Sequence, residues 1–177
     1  MLGVALGYWY STGPGKLSVW RDCLTSSTFG ATSACSISAA AGADIWRLRD
    51  QTGNSRAAAE RNARIEGVSD RVEFVEADAR HLPFLSNSYD VVVSNLTFDN
   101  IHGKEQRANA LREAVRVLRP GGRIRIVDDR AGRDADVLRA AGCPDVDVRR
   151  LDWRMWFGLP GHHLVLVAAS KPAAGTL

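Results

Sequence analysis

Four places in this 177-residue chain put polar groups where a short apolar run ends: Asp44, Asp78, Asn95-Leu96 and Asp128-Asp129. A carboxylate in such a position can accept two hydrogen bonds from a vicinal diol, or one from an exocyclic amine. Backbone amides beside it can meet ring nitrogens. Each acid alone could equally end a strand or cap a helix, and Asn95 could cap the turn that follows it. His81, His102, His162 and His163 fit exposed loops better than acid–base roles. Trp153, Trp156 and Phe157 could wall a pocket or pack as an aromatic lid on the edge of a sheet.

The elements that would carry these residues can be read from periodicity. Asn54 or Ser55 can cap a helix over residues 56–66, and Gly67 stops it. Residues 71–77 alternate as a strand. Residues 90–96 form a continuous apolar run with a polar end, as expected of a strand covered on both faces. Helical spacing over residues 104–118 places Ala110, Leu111, Ala114, Val115 and Leu118 on one side. The run Arg119-Pro120-Gly121-Gly122 reads as a turn, followed by a strand over 123–127. A helix over 132–141 closed by Gly142, and final strands over 146–151 and 163–169, complete the pattern. Alternating strand and helix predicts an α/β fold: a doubly wound, mostly parallel sheet with helices on both faces. In such sheets ligands bind at the carboxyl ends of the strands. That rule selects the four polar strand ends.

Composition narrows the class. An apolar share of 45% and a charged share of 24% describe a soluble globular domain. No apolar run approaches the roughly 20 residues of a membrane helix, so stable membrane insertion is not expected. The opening residues 1–10 are apolar but lack the basic start and cleavage site of a signal peptide. Cys23, Cys35 and Cys143 stand far apart, which suggests neither a zinc site nor a disulfide framework. A cytoplasmic setting and no metal are the expectation. The net charge of +3 is spread over mixed pairs such as Arg112-Glu113 and Arg133-Asp134, read as solvated surface. Nucleic-acid binding would want a clustered basic face. Nothing specifies an oligomeric state.

Taken together, three blocks carry a resemblance: V-E-F-V-E-A-D-A-R-H-L-P-F, S-Y-D-V-V-V-S-N-L, and L-R-E-A-V-R-V-L-R-P-G-G-R-I-R-I-V-D. In this order and spacing the chain resembles class I S-adenosylmethionine-dependent methyltransferases, and more narrowly their small-molecule "type 11" group, over roughly residues 44–172. The resemblance implies a Rossmann-like fold, S-adenosylmethionine as cofactor and a small-molecule acceptor. It makes Asp44, with Ile45 beside it, the ribose-holding acid after the second strand. Asp78 would face the adenine amino group, with Ala79 supplying a backbone amide and Arg80 next to it. Asn95 and Leu96 would lie beside the sulfonium and its methyl. It identifies no catalytic residue, because in-line methyl transfer asks mainly for positioning and desolvation.

One part of the family pattern is missing. Its first motif is an apolar strand ending in acid-x-G-x-G-x-G, whose glycines let the backbone approach the cofactor. Residues 1–43 are rich in small residues and contain no such run. Read two bases later, residues 28–43 can, with permitted codons, spell L-R-G-D-E-R-V-L-D-I-G-C-G-R-G. The expectation is therefore a frame-disrupted segment 1–43, a domain over 44–172 incomplete at its first strand and helix, and a flexible tail over 173–177. A catalytically inactive binding module that has lost the glycine loop is the alternative function. A nicotinamide oxidoreductase would need G-x-G-x-x-G after a strand, and none occurs.

Overall fold

The computed structural model describes residues 55–67, 69–70, 72–129, 131–152, 155 and 163–175. Asp44, Ile45, the whole of segment 1–43, and the aromatics Trp153, Trp156 and Phe157 lie outside the described residues.

Ser55 caps helix α1 (Arg56–Ile65) by accepting the Ala58 N–H at 3.1 Å, and Gly67 follows it at φ +66°. Strand β1 is Tyr89–Asn95 and helix α2 is Lys104–Val117. Strand β2 (Leu118–Asp128) starts at the residue after α2. Helix α3 (Ala135–Ala140) is preceded by a 3-10 turn, Ala131–Asp134. Strands β3 (Val146–Arg150) and β4 (Val165–Ser170) close the described chain. The strand order is β1-β2-β4-β3, with β1 and β2 parallel and the other two ladders antiparallel. The described part of the sheet is thus mixed, with its parallel pair joined through α2.

Alternation explains how both faces of the sheet are covered. Side chains one residue apart on a strand point to opposite faces. Ile124 and Ile126 of β2 and Val167 of β4 pack with Leu111, Leu118 and Leu138. Val127 and Leu166, their neighbours in the chain, pack instead with Leu151, Met155 and Leu164. The apolar runs of β2 and β4 are therefore buried on both sides. Helix α2 contributes Ala108, Ala110, Leu111, Ala114, Val115 and Val117, all buried, and small residues in that stripe let the helix sit close to the sheet.

Two expectations change. Residues 72–75 alternate in exposure, but residues 72–77 form no ladder with any described strand; an isolated bridge joins Asp78 to His81. Alternation signals a half-buried extended chain, and only a hydrogen-bonded neighbour makes it a strand. The Arg-Pro-Gly-Gly turn is the second change, because it lies inside β2. Tyr89 pairs with Leu118 and Val91 with Arg123, so the ladder breaks across residues 119–122 and the extra chain forms a bulge. The bulge is held from the other side: Gly121 donates to Lys171 O at 2.9 Å and Lys171 donates to Gly122 O at 2.9 Å.

Gly122 is the tightest point of that bulge. A Cβ there would sit 2.8 Å from Arg119 O, 3.1 Å from Leu118 Cδ2 and 3.2 Å from Asp90 O. Two of those atoms are backbone and cannot swing away. Gly122→Ala is expected to destabilise the fold by about 1–3 kcal/mol, read from urea unfolding midpoints at unchanged m-value.

Candidate functional site

The described site residues lie at the carboxyl ends of β1 and β2 and in a turn at Asp78, and α2 bonds to the loops of both. Asp78 opens a tight turn in which its Oδ1 accepts the Arg80 N–H at 2.9 Å and its carbonyl accepts the His81 N–H at 2.9 Å. The Arg80 guanidinium turns back onto the same carboxylate, with Nε 2.9 Å from Oδ1, and reaches Gln106 Oε1 of α2 at 3.0 Å. These donations hold the Asp78 carboxyl below its ordinary range: the Arg80 side chain has the largest effect, against burial, and the Arg80 N–H adds to it. Ala79 is buried at the turn, and its N–H takes no part in the bonds that close it.

The rest of this loop is clamped by an i,i+3 pair on α2. Glu113 Oε2 accepts the Leu82 N–H at 2.9 Å, while Arg116 donates to Leu82 O at 3.0 Å and Phe84 O at 2.9 Å. Glu113 and Arg116 are themselves paired at 2.7 Å. The Arg116 hydrogen bond, followed by the Leu82 amide, holds Glu113 below its usual value despite partial burial. Lys171 performs a similar service at the end of α2, donating to Val115 O at 3.2 Å and Leu118 O at 2.8 Å, where a cation complements the helix terminus.

At the end of β1, Leu96 adopts φ +53°, a left-handed conformation rare for a bulky residue. Its N–H extends the parallel ladder by donating to Val127 O at 2.8 Å, and its carbonyl accepts from Asn100 Nδ2 at 3.1 Å. Asn95 does not cap the turn that follows. Its carbonyl accepts from Thr97 Oγ1 at 3.2 Å, but its side-chain Oδ1 is buried without a hydrogen-bond partner, as is Ser94 Oγ. Buried polar atoms are rarely left unmatched, and neither of these finds a partner among the described residues.

At the end of β2, Asp128 is fully buried and accepts two backbone amides, Asp99 N at 2.9 Å and Asp129 N at 3.1 Å. Burial, the neighbouring Asp99 charge and a side-chain hydrogen bond with Asp99 push its carboxyl up to about 7. Arg107 of α2 donates to Asp99 Oδ1 at 2.7 Å and forks onto Asp134 at 2.7 and 2.8 Å. Burial opposes the charge on Arg107, but Asp134, Asp128 and Asp99 together outweigh it and raise its pKa. Burial raises Asp134 as well, in spite of Arg107. Asp134 is 2% exposed, which corrects its reading as surface charge. Nothing in the local sequence marked this: Arg107 and Asp134 are 27 residues apart and meet only because α2 packs beside the turn before α3.

His81, His102 and His163 are exposed, as expected, while His162 lies outside the described residues. A groove of about 380 Å³ lies between α1 and residues 72–74, and none of the site residues lines it. No His/Cys/Asp/Glu group among the described residues is arranged to hold a metal, and no described helix is long and apolar enough to cross a membrane.

Comparison with known proteins places this geometry. The family model described as "Methyltransferase domain" matches residues 29–126, more than half of the chain and including part of segment 1–43. A ubiquinone/menaquinone biosynthesis C-methyltransferase, UbiE, of Hahella chejuensis is 47% identical over 62 residues, which is 35% of this chain and 24% of that protein. Its counterpart in Ectopseudomonas mendocina is 44% identical over 63 residues, 36% of this chain and 23% of that protein. The aligned stretch thus spans about a quarter of the length of these curated relatives. Among solved structures, the 4+2 cyclase SpnF superposes with a TM-score of 0.64 at 20% identity, covering 97% of this chain and 88% of its own. A Burkholderia thailandensis 1,6-didemethyltoxoflavin-N1-methyltransferase, solved with its substrate and S-adenosylhomocysteine, superposes at 0.51 with 22% identity, over 64% of this chain and 56% of its own. Those two likenesses bear on the Rossmann-like fold.

The clamp on the Asp78 loop can be tested directly. Arg116→Met leaves two loop carbonyls and Glu113 without their donor, an expected loss of about 1–2 kcal/mol because the guanidinium is partly exposed. A carboxylate held below its unfolded value stabilises above that value and loses the contribution as pH falls through the folded one. With Glu113 released, stability should therefore fall less steeply between pH 5 and pH 3 than in the parent, measured by urea titration at each pH.

Proposed function

The chain belongs to the methyltransferase-domain family of class I S-adenosylmethionine-dependent enzymes, and from that premise we propose that it transfers a methyl group to a small-molecule acceptor at the carboxyl ends of β1 and β2. When bound, S-adenosylmethionine supplies an electrophilic methyl on a sulfonium. The chain's task is to hold that methyl in line with the acceptor and to exclude water.

The observation that carries this reading is the buried Asn95 Oδ1 at the end of β1, which has no hydrogen-bond partner among the described residues; an Asp78 carboxyl held ionised by Arg80 supports it. In the proposed assignment Asp78 accepts from the adenine amino group, with the Ala79 N–H toward the ring and Arg80 fixing the carboxylate. A carboxylate has about four acceptor positions, so the Arg80 pairing leaves room for one more donor. Asn95 and Leu96 face the sulfonium end, and Asp44 with Ile45 hold the ribose. The positive charge of the sulfonium would suit an uncompensated amide oxygen. A small-molecule acceptor agrees with the UbiE relatives, which are named as C-methyltransferases of ubiquinone/menaquinone biosynthesis.

Calorimetric titration of the full chain with S-adenosylmethionine and S-adenosylhomocysteine tests the assignment. Micromolar one-to-one binding is expected, weakened about tenfold or more by Asp78→Ala, the scale of a hydrogen bond to a charged group. Absence of heat from a demonstrably folded chain would overturn it and leave the binding site lost.

A further inference from the structure

We propose that Asp128 and Asp99 form a proton-sharing positioning pair that fixes the loop of residues 96–101 at the end of β1, with the Arg107 guanidinium, which Asp134 also holds, as the fixed positive charge beside it. Its consequence for ligand binding rests on the reading above; its consequence for the loop does not.

The geometry is unusual in its charge count. Asp128, Asp99 and Asp134 share a largely buried cluster with one guanidinium, and Arg107 is fully committed, forked onto Asp134 and bonded to Asp99. Asp128 is 0% exposed and, among the described residues, makes no ion pair of its own. A buried carboxylate without a counter-ion is costly, and two carboxyls in hydrogen-bond contact cannot both be ionised cheaply. A proton held between them resolves both problems. Asp128 then donates to Asp99 while its two oxygens accept the Asp99 and Asp129 amides.

Asp99 is therefore gripped three ways, through its N–H, through its carboxyl contact with Asp128 and through Arg107. It lies in the 3-10 turn Phe98–Asn100, three residues after the left-handed Leu96. Thr97, Phe98 and Ile101 around it are buried. This is the segment whose setting decides where Asn95 and Leu96 sit. The charged groups facing Asp128 are Asp99 from that turn, Arg107 from α2, Asp134 from the turn before α3 and the adjacent Asp129. The strands beside it bring uncharged partners: Val165 stands opposite Asp128, and Asn95 is in register with the preceding Val127. Loss of the shared proton sets two carboxylates against each other beside a guanidinium already bonded to Asp99 and Asp134, and the loop loosens.

Asp128→Asn replaces the protonated carboxyl by a neutral amide that can still accept from the Asp99 N–H and donate to its carboxylate. The test is amide hydrogen exchange of the ligand-free full chain between pH 6 and 8.5, corrected for the intrinsic rate. Peptides from β4 serve as the reference for global stability. In the parent, protection of residues 96–101 should fall at least threefold relative to β4 as pH rises. Asp128→Asn, and independently Asp99→Asn, should flatten that profile. A pH-independent parent profile, or an Asp128→Asn profile parallel to the parent, would overturn the proposal, and Asp99→Asn decides the matter if Asp128→Asn does not fold. S-adenosylhomocysteine affinity measured over the same range separates the two readings. Exchange that responds to pH in a chain that binds no ligand retains the pair and rejects the methyltransferase site. Tight binding with a flat exchange profile does the reverse.

Discussion

Helix α2 is the brace on which the carboxyl end of the sheet depends. Its apolar stripe is buried against the sheet, and its polar side chains reach three separate loops. Gln106, Glu113 and Arg116 hold the loop that starts at Asp78; Arg107 holds both the turn after β1 and the turn before α3. Without that packing, each of these loops would have to be ordered by its own short turns. The entropy of fixing a loop residue is about 1–2 kcal/mol, which single exposed hydrogen bonds do not offset. A helix already fixed by burial can donate several bonds at little further entropic cost. The site is thus rigid where the helix touches it.

The Arg107 cluster shows why such a brace favours specificity over stability. Pairing a buried guanidinium with a buried carboxylate costs desolvation that the attraction only partly recovers. The arrangement does exclude alternatives: Asp134, Asp99 and Asp128 can be satisfied together only when α2, the end of β1 and the turn before α3 meet in one register. The bulge in β2 complements it from the opposite end. Leu118 must leave the helix and enter the sheet within one residue, and the extra chain of residues 119–122 takes up the offset before β2 resumes its ladder with β1.

Much of this was legible in the sequence, and for physical reasons. Long periodic segments announce themselves because one face is buried; α2, β1 and the second half of β2 fall where the apolar spacing predicts. The strand-end rule pointed to Asp44, Asp78, Asn95-Leu96 and Asp128-Asp129 from order alone; Asp44 lies outside the described residues, and the others lie at turns or strand ends in the structure. Arg-Pro-Gly-Gly misled because its turn chemistry is local, whereas its partners, Lys171 and Asp90, come from distant parts of the chain. Residues 72–77 misled in the opposite way, since alternation reports burial and says nothing about a neighbour. The roles of Arg107 and Glu113 were invisible: a charge on a helix is written the same way whether it meets solvent or a loop.

Shared architecture alone does not decide the chemistry here. The same fold is found in a protein titled a 4+2 cyclase and in an N1-methyltransferase, so the sheet is a platform and the loops at its carboxyl ends select the reaction. In this chain those loops combine two electrostatic conditions. Asp78 is kept ionised by a guanidinium at its side, which suits the acceptor role proposed for it. Asp128 is pushed toward neutrality by burial and by Asp99, which lessens the negative charge at the end of β2. At the end of β1, next to Val127, Asn95 presents a dipole instead of a charge. A cationic methyl donor needs that balance: a full carboxylate at the sulfonium would stabilise the ground state most, because positive charge disperses as the methyl leaves. An amide oxygen attracts the donor more weakly and therefore costs less on the way to the transition state.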